Sequence, residues 1–355
     1  MKRTCTNCHD GCAASGRMHR ISKENTMQDK YPALSLKETQ RAIKLCKDTA
    51  ETQLSRLLSL ERVTAPLLVE AGSGVNDDLC GWEHKVTFNL GKCPLRAEVV
   101  QSLAKWKRLA LWQYEFAPGE GLYTDMNALR PDEVPDALHS ITVDQWDWEK
   151  IILPADRHMG MLEDTVRTIV RAIAATKATL RAAFPVLEEE ICDKVHFVTS
   201  QDLYEAYPTL SPEQREYEIT KQYKTVFIEK VGKPLPDGRP HSDRAPDYDD
   251  WDLNGDLLFW SQAIDRPIEI SSMGIRVNAQ SLLSQLKAAG AEDRLRHDYH
   301  RLVAEGTLPL TIGGGIGQSR LCMLLMEKRH IGEVQVSVWD EQTRAACRAQ
   351  GITLL

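Results

Sequence analysis

The sequence predicts an α+β fold in which a central antiparallel β-sheet is flanked by helices. Several predicted strands follow one another without an intervening helix, as at residues 85–100 and 126–149. Strands joined by short connections pair antiparallel, whereas parallel strands need a long crossover. Long amphipathic patterns at residues 36–60 and 162–183 supply helices that can cover the sheet.

The predicted elements begin with a helix that starts at a capping box formed by Ser35 and Glu38 and runs to about residue 60. Residues 62–69 predict a strand, and because Pro66 cannot donate a ladder hydrogen bond, this strand belongs at an edge or an interface. We then expect a hairpin of residues 85–90 and 96–100 around Gly91, a helix at 102–114, and strands at 126–130 and 139–149.

The second half of the chain opens with the helix at 162–183, which ends before Pro185. Residues 232–252 are rich in Pro, Gly and Asp and lack apolar periodicity, so we expect a long functional loop or an insertion there. The other predicted strands are at 195–199, 225–228, 256–260, 267–277, 311–317 and 334–339, and the other predicted helices are at 279–288, 292–304 and 319–328. Because no repeat or internal boundary interrupts this pattern, residues 33–355 are expected to form a single domain.

Composition limits the classes of protein to which the chain can belong. The sequence carries 44 basic and 51 acidic residues for a net charge of -7, with 42% hydrophobic and 27% charged residues. These values indicate a globular chain rather than a fibrous or disordered one. The acidic balance argues against nucleic acid as a partner, and no apolar run approaches membrane-spanning length. We therefore expect neither a nucleic-acid nor a membrane partner.

Residues 1–32 are predicted to be a flexible extension. Cys5, Cys8 and His9 match the pattern of covalent haem attachment, and Cys12 follows them. The segment has almost no apolar residues with which to fix a haem or a zinc ion, so the role of these cysteines stays open. No apolar secretory segment precedes the nine cysteines of the chain, which indicates a reducing, cytoplasmic setting.

A glycine-rich segment at residues 312–320 leads into the helix predicted at 319–328. It fails the dinucleotide fingerprint because Gln318 stands where a third glycine would follow Gly313 and Gly315, and it lacks the Gly-Lys-Ser/Thr of a P-loop. A strand without bulky side chains lets a planar ring lie on its backbone, with the guanidinium of Arg320 on the other face of the ring. The alternative is a tightly packed turn.

Two further groups of polar residues could carry chemistry. Carboxylates occur at Asp256 and Glu269 on predicted strands, and in the preceding loop at Asp247, Asp249, Asp250 and Asp252. Carboxylates at this density repel one another unless a hard cation or a cationic substrate lies among them, although residues 247–252 alone could form an ordinary surface loop. The second group is Arg130 at the end of one strand, with Gln145 and Asp147 one alternation apart on the next.

In combination these groups resemble a known family. Residues 61–66, 129–133 and 315–320 are similar to the three signature motifs of class II aminoacyl-tRNA synthetases. Longer stretches resemble the ammonia-dependent asparagine synthetase A family, at residues 101–108, 119–124, 128–133, 143–149, 244–251, 253–256, 269–276 and 313–321. The resemblance spans residues 35–339 and implies a class II synthetase-like catalytic domain.

The resemblance implies an enzyme that joins ammonia to the side-chain carboxylate of aspartate. ATP would be cleaved to AMP and pyrophosphate through a β-aspartyl-adenylate. Arg130 would bridge the carboxylate and the α-phosphate. Asp256 and Glu269 would hold Mg²⁺ on the phosphates, and Arg320 would stack on adenine. The residues implied to bind ATP are Arg130, Asp247, Asp256, Glu269, Ser272, Gly315, Gly317 and Arg320.

The resemblance also implies sites for the other two substrates. Aspartate would bind to Ser102, Lys107, Asp147 and Arg276, with Arg276 suited to its α-carboxylate and Asp147 to its α-ammonium group. Ammonia in water is mostly NH₄⁺ at neutral pH, and an anionic pocket can take up this cation and remove its proton near the electrophile. Asp77, helped by Gln145, is our hypothesis for this pocket, because Asp77 lies in an acidic turn before the predicted hairpin.

The family resemblance further implies a homodimer, with the helix that starts at Ser35 and the Pro66 strand at the interface. Ser73, Val75 and Asp78 depart from the bacterial pattern around Asp77, and the connection between residues 250 and 256 is shorter than in bacterial relatives. Two other functions stay open: an aspartyl- or asparaginyl-tRNA synthetase-like paralogue, and a non-catalytic ligand sensor. The tRNA synthetase-like alternative would need an anticodon-binding domain before the first motif. Only about sixty residues precede that motif in this sequence, fewer than we expect such a domain to need. Use of glutamine in place of ammonia also stays open.

Overall fold

The computed structural model describes residues 34–79, 81 and 83–355, so the extension predicted at residues 1–32 lies outside the described residues. Its main feature is an eight-stranded sheet. In spatial order its strands are β1 (Leu60–Arg62), β5 (Gly121–Leu129), β6 (Thr142–Ile151), β11 (Thr311–Gly317), β10 (Arg266–Arg276), β9 (Asp249–Ser261), β8 (Thr225–Glu229) and β7 (His196–Thr199). The strands from β5 to β8 pair antiparallel, while β1 with β5 and β7 with β8 pair parallel. The predicted central antiparallel sheet is confirmed, and its two edges make it a mixed sheet.

The strand register sets polar residues side by side on one face of this sheet. Asp147 on β6 is opposite Gly315 on β11, Gly315 is opposite Ser272 on β10, and Ser272 is opposite Asp256 on β9. Directly paired residues point to the same face. The four residues therefore form one row across the middle of the sheet, which we call the central row.

The other face of the sheet is apolar and carries the main core. Trp146, Ile312, Met273 and Leu257 alternate with residues of the central row and are buried. The core is covered by three helices: α1 (Leu36–Leu58), α3 (Met159–Ala183) and α8 (Gln318–Leu325). Alternation with a period of two thus separates a hydrophobic side from a polar side, as expected for a sheet covered on one face.

The capping box predicted at the start of α1 is present. The backbone N–H of Glu38 donates to the Ser35 hydroxyl, and the Ser35 N–H donates to the Glu38 carboxylate at 2.9 Å. These two bonds satisfy amide groups that a helix leaves unpaired in its first turn.

A β-bulge in β10 brings two polar residues onto the cleft side. Glu269 pairs with Leu258 and Ser271 pairs with Leu257, so Ile270 is an extra residue between them. Without the bulge, Glu269 and Ser272 would point to opposite faces, because they are an odd number of residues apart. With it, the Ser272 hydroxyl lies 2.7 Å from Oε1 of Glu269.

Three short strands form a separate antiparallel sheet: β2 (Leu68–Glu70), β4 (Arg96–Val99) and β3 (Thr87–Asn89). The predicted hairpin around Gly91 is confirmed by the pairing of β3 with β4. The continuous strand predicted at residues 62–69 is wrong, since β1 ends at Arg62 and β2 begins at Leu68 in the other sheet. Pro66 lies between them, where the missing N–H costs no ladder bond.

Six further α-helices complete the helical part of the described chain. They are α2 (Ala104–Gln113), α4 (Ser200–Ala206), α5 (Pro212–Tyr223), α6 (Ala279–Ala288), α7 (Asp298–Ala304) and α9 (Glu341–Ala349). The sequence prediction did not include α4, α5 or α9. It also joined α7 to residues that form a separate 3₁₀-helix, Glu292–Arg296. No helix among the described residues is long and apolar enough to cross a bilayer.

Two predictions about the extent of the strands are wrong, and the pairing of the strands explains both. Residues 249–252 belong to β9 rather than to the loop, because Arg276 pairs with Asp249 and extends the ladder. Residues 334–339 form no strand, since Val336 and Val338 are 72% and 70% exposed and this segment pairs with no strand among the described residues. The preceding 3₁₀-helix, Ile331–Glu333, already redirects the chain.

Candidate active site

A cleft of about 1020 Å³ opens over the polar face of the sheet. The central row forms its floor, α2 contributes to one wall, and the connection from β8 to β9 contributes to the other. Most of the residues predicted from the sequence line this cleft: Asp77, Ser102, Lys107, Arg130, Gln145, Asp147, Glu269, Ser272, Arg276, Gly315, Gly317 and Arg320. Asp256 lies against Ser272 with little exposure, and Asp247 lies away from the cleft.

One end of the cleft combines a buried lysine with a buried aspartate. Lys107 reaches from α2 so that its Nζ donates to the carbonyl of Gly314 at 2.9 Å and lies 3.4 Å from Oδ1 of Asp147. Burial lowers the pKa of Lys107, and the charge of Asp147 opposes this shift. Ser102, at the foot of α2, accepts a hydrogen bond from the Ala104 N–H at 3.1 Å. The pair offers both an anion and a cation to a zwitterionic ligand.

Arg276 is held by two carboxylates beside this pair. Its Nη2 donates to Oε2 of Glu149 at 2.8 Å, its Nε donates to Oε1 at 3.0 Å, and its Nη1 donates to Asp249. Thr311 also donates to Glu149, at 2.6 Å. Burial alone would raise the pKa of Glu149, but the charges of Arg276 and Lys107 outweigh it and lower that pKa. Arg276 is therefore a rigid, largely neutralised group rather than a free cation.

The other end of the cleft concentrates arginines around Glu269. Arg320 donates to the Glu269 carbonyl at 3.2 Å, and its Nη1 lies 3.8 Å from Oε2 of the same residue. Arg130 donates to the Gln101 carbonyl at 3.4 Å, while its buried Nε has no hydrogen-bond partner among the described residues. Burial would raise the pKa of Glu269, but Arg320, Arg244 and Arg130, with the Ser272 hydrogen bond, lower it. This end suits a polyanion.

Asp256 forms the deepest part of this arginine-rich end. Its Oδ1 lies 2.7 Å from the Ser272 hydroxyl and accepts a hydrogen bond from Nη2 of Arg244. Burial raises the pKa of Asp256 to about 7, with Arg244 opposing the shift and the charge of Glu269 adding to it. The Ser272 hydroxyl thus lies within hydrogen-bonding distance of both carboxylates. The bulge in β10 is the cause of this convergence.

Two carboxylates of this kind fit a hard cation that also takes ligands from phosphate. Mg²⁺ prefers oxygen donors and usually keeps only one or two protein carboxylates beside substrate phosphates and water. Asp256 and Glu269 provide such a pair, since both carboxylates lie within hydrogen-bonding distance of the Ser272 hydroxyl. Among the described residues there is no group of three or more His, Cys, Asp or Glu side chains that could hold a metal without a substrate.

Asp77 lies in the wall of the cleft with an orphaned carboxylate oxygen. Its Oδ1 accepts a hydrogen bond from the Leu79 N–H at 3.1 Å, and its backbone N–H donates to the Asn76 side chain at 3.0 Å. Its Oδ2 is buried, and no described group meets the geometry of a hydrogen bond to it, although the Tyr248 hydroxyl lies close enough to lower the pKa of Asp77. Burial raises the pKa of Asp77, opposed by the charge of Lys105. A buried acceptor without a donor in hydrogen-bond geometry marks a position for a ligand that can donate.

Gln145 projects from β6 over the glycine-rich strand. A Cβ added at Gly315 would collide with Oε1 of Gln145 and approach Oδ1 of Asp147 to 2.7 Å. A side chain at residue 315 would therefore displace the ends of both polar side chains from the positions they have in the cleft.

The sequence analysis expected Asp247 to bind ATP, but the structure does not bring this residue to the arginine-rich end of the cleft. Its fully buried carboxylate accepts hydrogen bonds from Arg294 and His300 at 2.8 Å and lies 3.4 Å from Nζ of Lys105. Burial would raise the pKa of Asp247, but the charge of Lys105, the hydrogen bond with His300 and the charge of Arg294 outweigh it and lower that pKa. Asp247 thus fixes the loop before β9 to α2 and α7.

Three polar residues that hold groups of the site were absent from the residues that the sequence analysis assigned to a substrate or a metal. Glu149 and Asp249 hold Arg276, and Arg244 contacts Asp256. Glu149 could have been found, since it continues the alternation of Gln145 and Asp147 along one strand. Arg244 stands in a loop without periodicity, and no pattern in that loop points to its partner 12 residues later.

Comparison with known proteins identifies the relatives of this chain. A protein-family model described as aspartate-ammonia ligase matches residues 37–351. An aspartate–ammonia ligase from Clostridium perfringens is 51% identical over 92% of this chain and 98% of its own length. One from Lactobacillus acidophilus is also 51% identical, over 92% of this chain and 98% of its length.

Solved structures with the same fold are aminoacyl-tRNA synthetases. Asparaginyl-tRNA synthetase from Pyrococcus horikoshii, complexed with asparaginyl-adenylate, matches with a TM-score of 0.60 and 15% identity, covering 84% of this chain and 68% of that one. The Entamoeba histolytica asparaginyl-tRNA synthetase with the same adenylate gives 0.57 and 16%, over 89% and 71%. At this identity the likeness shows the fold alone, and it confirms the class II synthetase-like architecture.

Proposed function

The chain belongs to the aspartate–ammonia ligase family, and we propose that its cleft performs this reaction in two steps on the polar face of the sheet. In the first step a side-chain carboxylate oxygen of aspartate attacks the α-phosphate of ATP, and the bond to pyrophosphate breaks. In the second step ammonia attacks the carbonyl carbon of the resulting β-aspartyl-adenylate, AMP leaves, and asparagine forms. The observation that carries this proposal is the central row, which joins an end suited to a zwitterion to an end suited to a polyanion.

The amino-acid end explains how aspartate would be oriented. Asp147 would accept the α-ammonium group, and Lys107, with Ser102, would contact a carboxylate. Arg276 would direct one edge of its guanidinium at the ligand while Glu149 and Asp249 keep its plane fixed. A guanidinium that is already fixed loses little conformational entropy when the ligand binds. Arg276 would therefore contribute more to the orientation of the bound aspartate than to the strength of its binding.

The polyanion end explains how the phosphates would be held. Arg130, with its unpartnered Nε, would bridge the attacking carboxylate and the α-phosphate, which lowers their mutual repulsion. Adenine would lie on the backbone of β11 at Gly315 and Gly317, with Arg320 on its other face. Asp256 and Glu269 would hold Mg²⁺, whose chemistry here is to neutralise phosphate charge as pyrophosphate departs. Asp247 would support this end only indirectly, by fixing the loop.

Asp77 and Gln145 would serve the ammonia step. Oδ2 of Asp77 can accept a hydrogen bond from NH₄⁺, and its raised pKa makes the carboxylate a stronger base. Deprotonation would leave NH₃ next to the adenylate, with the Gln145 amide oxygen as a second acceptor. Tyr248 also lines this part of the cleft.

We also propose a homodimer. The small sheet of β2, β4 and β3 exposes large apolar side chains on and around it, at Leu67, Leu68, Phe88, Leu90 and Leu95, and α1 exposes Leu36 and Leu57. Exposed apolar side chains in this number favour association. Substitution of Phe88 by Glu should give a monomer by light scattering after size-exclusion chromatography, whereas an unchanged mass would place the interface elsewhere.

Two further features support a cytoplasmic location for such an enzyme. Cys46, Cys93, Cys192, Cys322 and Cys347 are free thiols, which suits a reducing compartment. ATP, which the reaction consumes, is supplied in the same compartment.

One incubation tests the reaction. The protein is mixed with ATP, Mg²⁺, aspartate and ammonium, and the nucleotide and amino-acid products are identified. We expect AMP, pyrophosphate and asparagine in equal amounts. ADP would show an acyl-phosphate route instead, and adenylate formed without asparagine would point to a tRNA synthetase-like paralogue. The high identity to named aspartate–ammonia ligases does not support that paralogue or a ligand sensor.

A further inference from the structure

Arg244 occupies the position at which the proposed function requires Mg²⁺. It belongs to the irregular connection between β8 and β9, and its side chain extends into the cleft. Its Nη2 donates both to Asp256 and to the Ser272 hydroxyl, the latter at 2.9 Å. Its side chain is 13% exposed, and its Nε has no hydrogen-bond partner among the described residues.

The contacts of Arg244 are the same groups that would receive Mg²⁺. One guanidinium nitrogen contacts Oδ1 of Asp256, and the charge of Arg244 also acts on Glu269. Mg²⁺ bound to Asp256 and the Arg244 guanidinium would place two positive charges at the same carboxylate, and these charges would repel each other. Arg244 and Mg²⁺ therefore compete for Asp256.

The surroundings of Arg244 allow it to move, in contrast to those of Arg276. Arg276 lies on β10 within the sheet and is fixed by Glu149 and Asp249 on two other strands. Arg244 lies on a loop, and the hydrogen bonds of its side chain to described residues are those to Asp256 and Ser272 and those to its neighbours Ser242 and Asp243. Its long side chain can change rotamer without breaking a strand or a helix.

We propose that Arg244 is a placeholder for the metal: it neutralises Asp256 in the free enzyme and moves to the phosphate oxygens of ATP when Mg²⁺ enters with the nucleotide. This inference rests on the proposed function. It makes the entry of Mg²⁺ depend on the entry of ATP, because ATP brings the negative charge that takes up the displaced guanidinium. The free protein should therefore bind a divalent cation weakly, and cation and nucleotide should bind cooperatively.

Titration of the full chain with Mn²⁺, followed by electron paramagnetic resonance without nucleotide, measures the competition directly. Arg244→Gln should bind Mn²⁺ about tenfold or more tightly than the unchanged protein, because Asp256 and Glu269 lose their nearest counter-charge. The same variant should bind a non-hydrolysable ATP analogue with Mn²⁺ more weakly than the unchanged protein. Equal Mn²⁺ affinity in the free variant and the free parent would overturn the proposal.

Two controls keep the result interpretable. Lys233→Gln removes a cation from the same loop that pairs with Asp252, which is exposed and not among the residues lining the cleft, and it should leave Mn²⁺ affinity unchanged. Arg244→Lys keeps a positive charge beside Asp256 and should stay close to the parent in Mn²⁺ affinity while losing analogue affinity. A tenfold gain in the lysine variant would contradict the charge argument.

Failure here and failure of the proposed function are separable. If the parent makes asparagine and AMP but Arg244→Gln gains no Mn²⁺ affinity, only the placeholder role is refuted. If the parent makes neither product, the proposed function is refuted whatever the metal titration shows.

Discussion

Nζ of Lys107 lies 3.4 Å from Oδ1 of Asp147, and both side chains are almost completely buried at the edge of the central row. Removing one member of a buried pair leaves the other charge uncompensated. The lysine is further fixed by the carbonyl of Gly314, at 2.9 Å. The pair therefore fixes the Asp147 carboxylate beside a buried lysine, in the part of the cleft where we propose that the substrate ammonium group binds.

Asp147→Asn should raise the KM for aspartate by about tenfold to a hundredfold, the effect of losing a hydrogen bond between charged groups. The KM for ATP should change little, because the arginine-rich end is intact. Steady-state kinetics with each substrate varied checks this. Asp125→Asn on the neighbouring strand is the control, since Asp125 pairs with Arg62 and is not among the residues lining the cleft. Equal changes in both KM values would argue against an aspartate site here.

Asp77→Asn should separate the two chemical steps. Aspartate-dependent exchange of pyrophosphate into ATP should persist, because adenylate formation does not need a base for ammonia. Asparagine formation should fall by about a hundredfold or more, the usual size of general-base catalysis. Radiolabelled pyrophosphate exchange and amino-acid analysis measure the two rates on the same samples, and an equal loss of both would refute the assignment.

Asp77 should also affect how the stability of the folded protein depends on pH. Burial holds the pKa of Asp77 above its usual value in the folded protein, so the folded state keeps this proton to higher pH than the unfolded state. The contribution of Asp77 to stability therefore decreases as pH rises from the unfolded pKa through the folded one. Asp77→Asn should raise the melting temperature more at pH 8 than at pH 4.5, and a larger gain at the lower pH would show that the sign is wrong.

Gly315→Ala should reduce kcat/KM by about a hundredfold, the effect expected when groups that bind the substrate move by about 1 Å. The new methyl group would collide with Gln145 and approach Asp147. Gly91→Ala in the β3–β4 turn is the matched control, because nothing lies within 4 Å of its added Cβ. Activities and melting curves of both variants test the comparison; a fully active Gly315→Ala protein would mean that the site tolerates a side chain there.

Glu149→Ala should destabilise the protein by about 3–5 kcal/mol, because it leaves Arg276 and Lys107 short of a buried counter-charge. Glu149 accepts two bonds from the Nε and one from the Nη2 of Arg276, as well as one from Thr311. Urea unfolding of the free protein measures the loss. Glu163→Ala on α3, whose bond to Arg167 is on the surface, should cost far less, and similar losses in the two variants would contradict the role of the buried clamp.

Local signals in the sequence were sufficient for elements whose stability is local. The Ser35–Glu38 capping box, the hairpin around Gly91 and the alternation of Gln145 with Asp147 all appear in the structure as expected. The family resemblance supplied the roles of residues in the cleft, and the register of the sheet brings Asp147, Ser272 and Asp256 into one row.

Features that depend on distant contacts could not be predicted in the same way. The bulge at Ile270 exists only in relation to β9, yet it decides which face Glu269 occupies. Asp247 lies just before β9 and Asp256 lies in its middle, but Lys105 on α2, with His300 in α7 and Arg294 beside it, holds the first away from the cleft. The apolar alternation of residues 334–339 suggested a strand, although no neighbouring strand in the described part of the chain pairs with it.

The backbone of β11 has a consequence for how such a protein can change during evolution. Gly313, Gly314 and Gly315 present no side chains, and added Cβ atoms there would meet Glu149, Met273 or Gln145. A substitution at one of these three glycines is therefore expected to disturb the binding surface rather than to change which substrate it binds. We expect a change of amino-acid substrate to come instead from β6, β10 and α2, whose side chains surround a floor made of backbone alone.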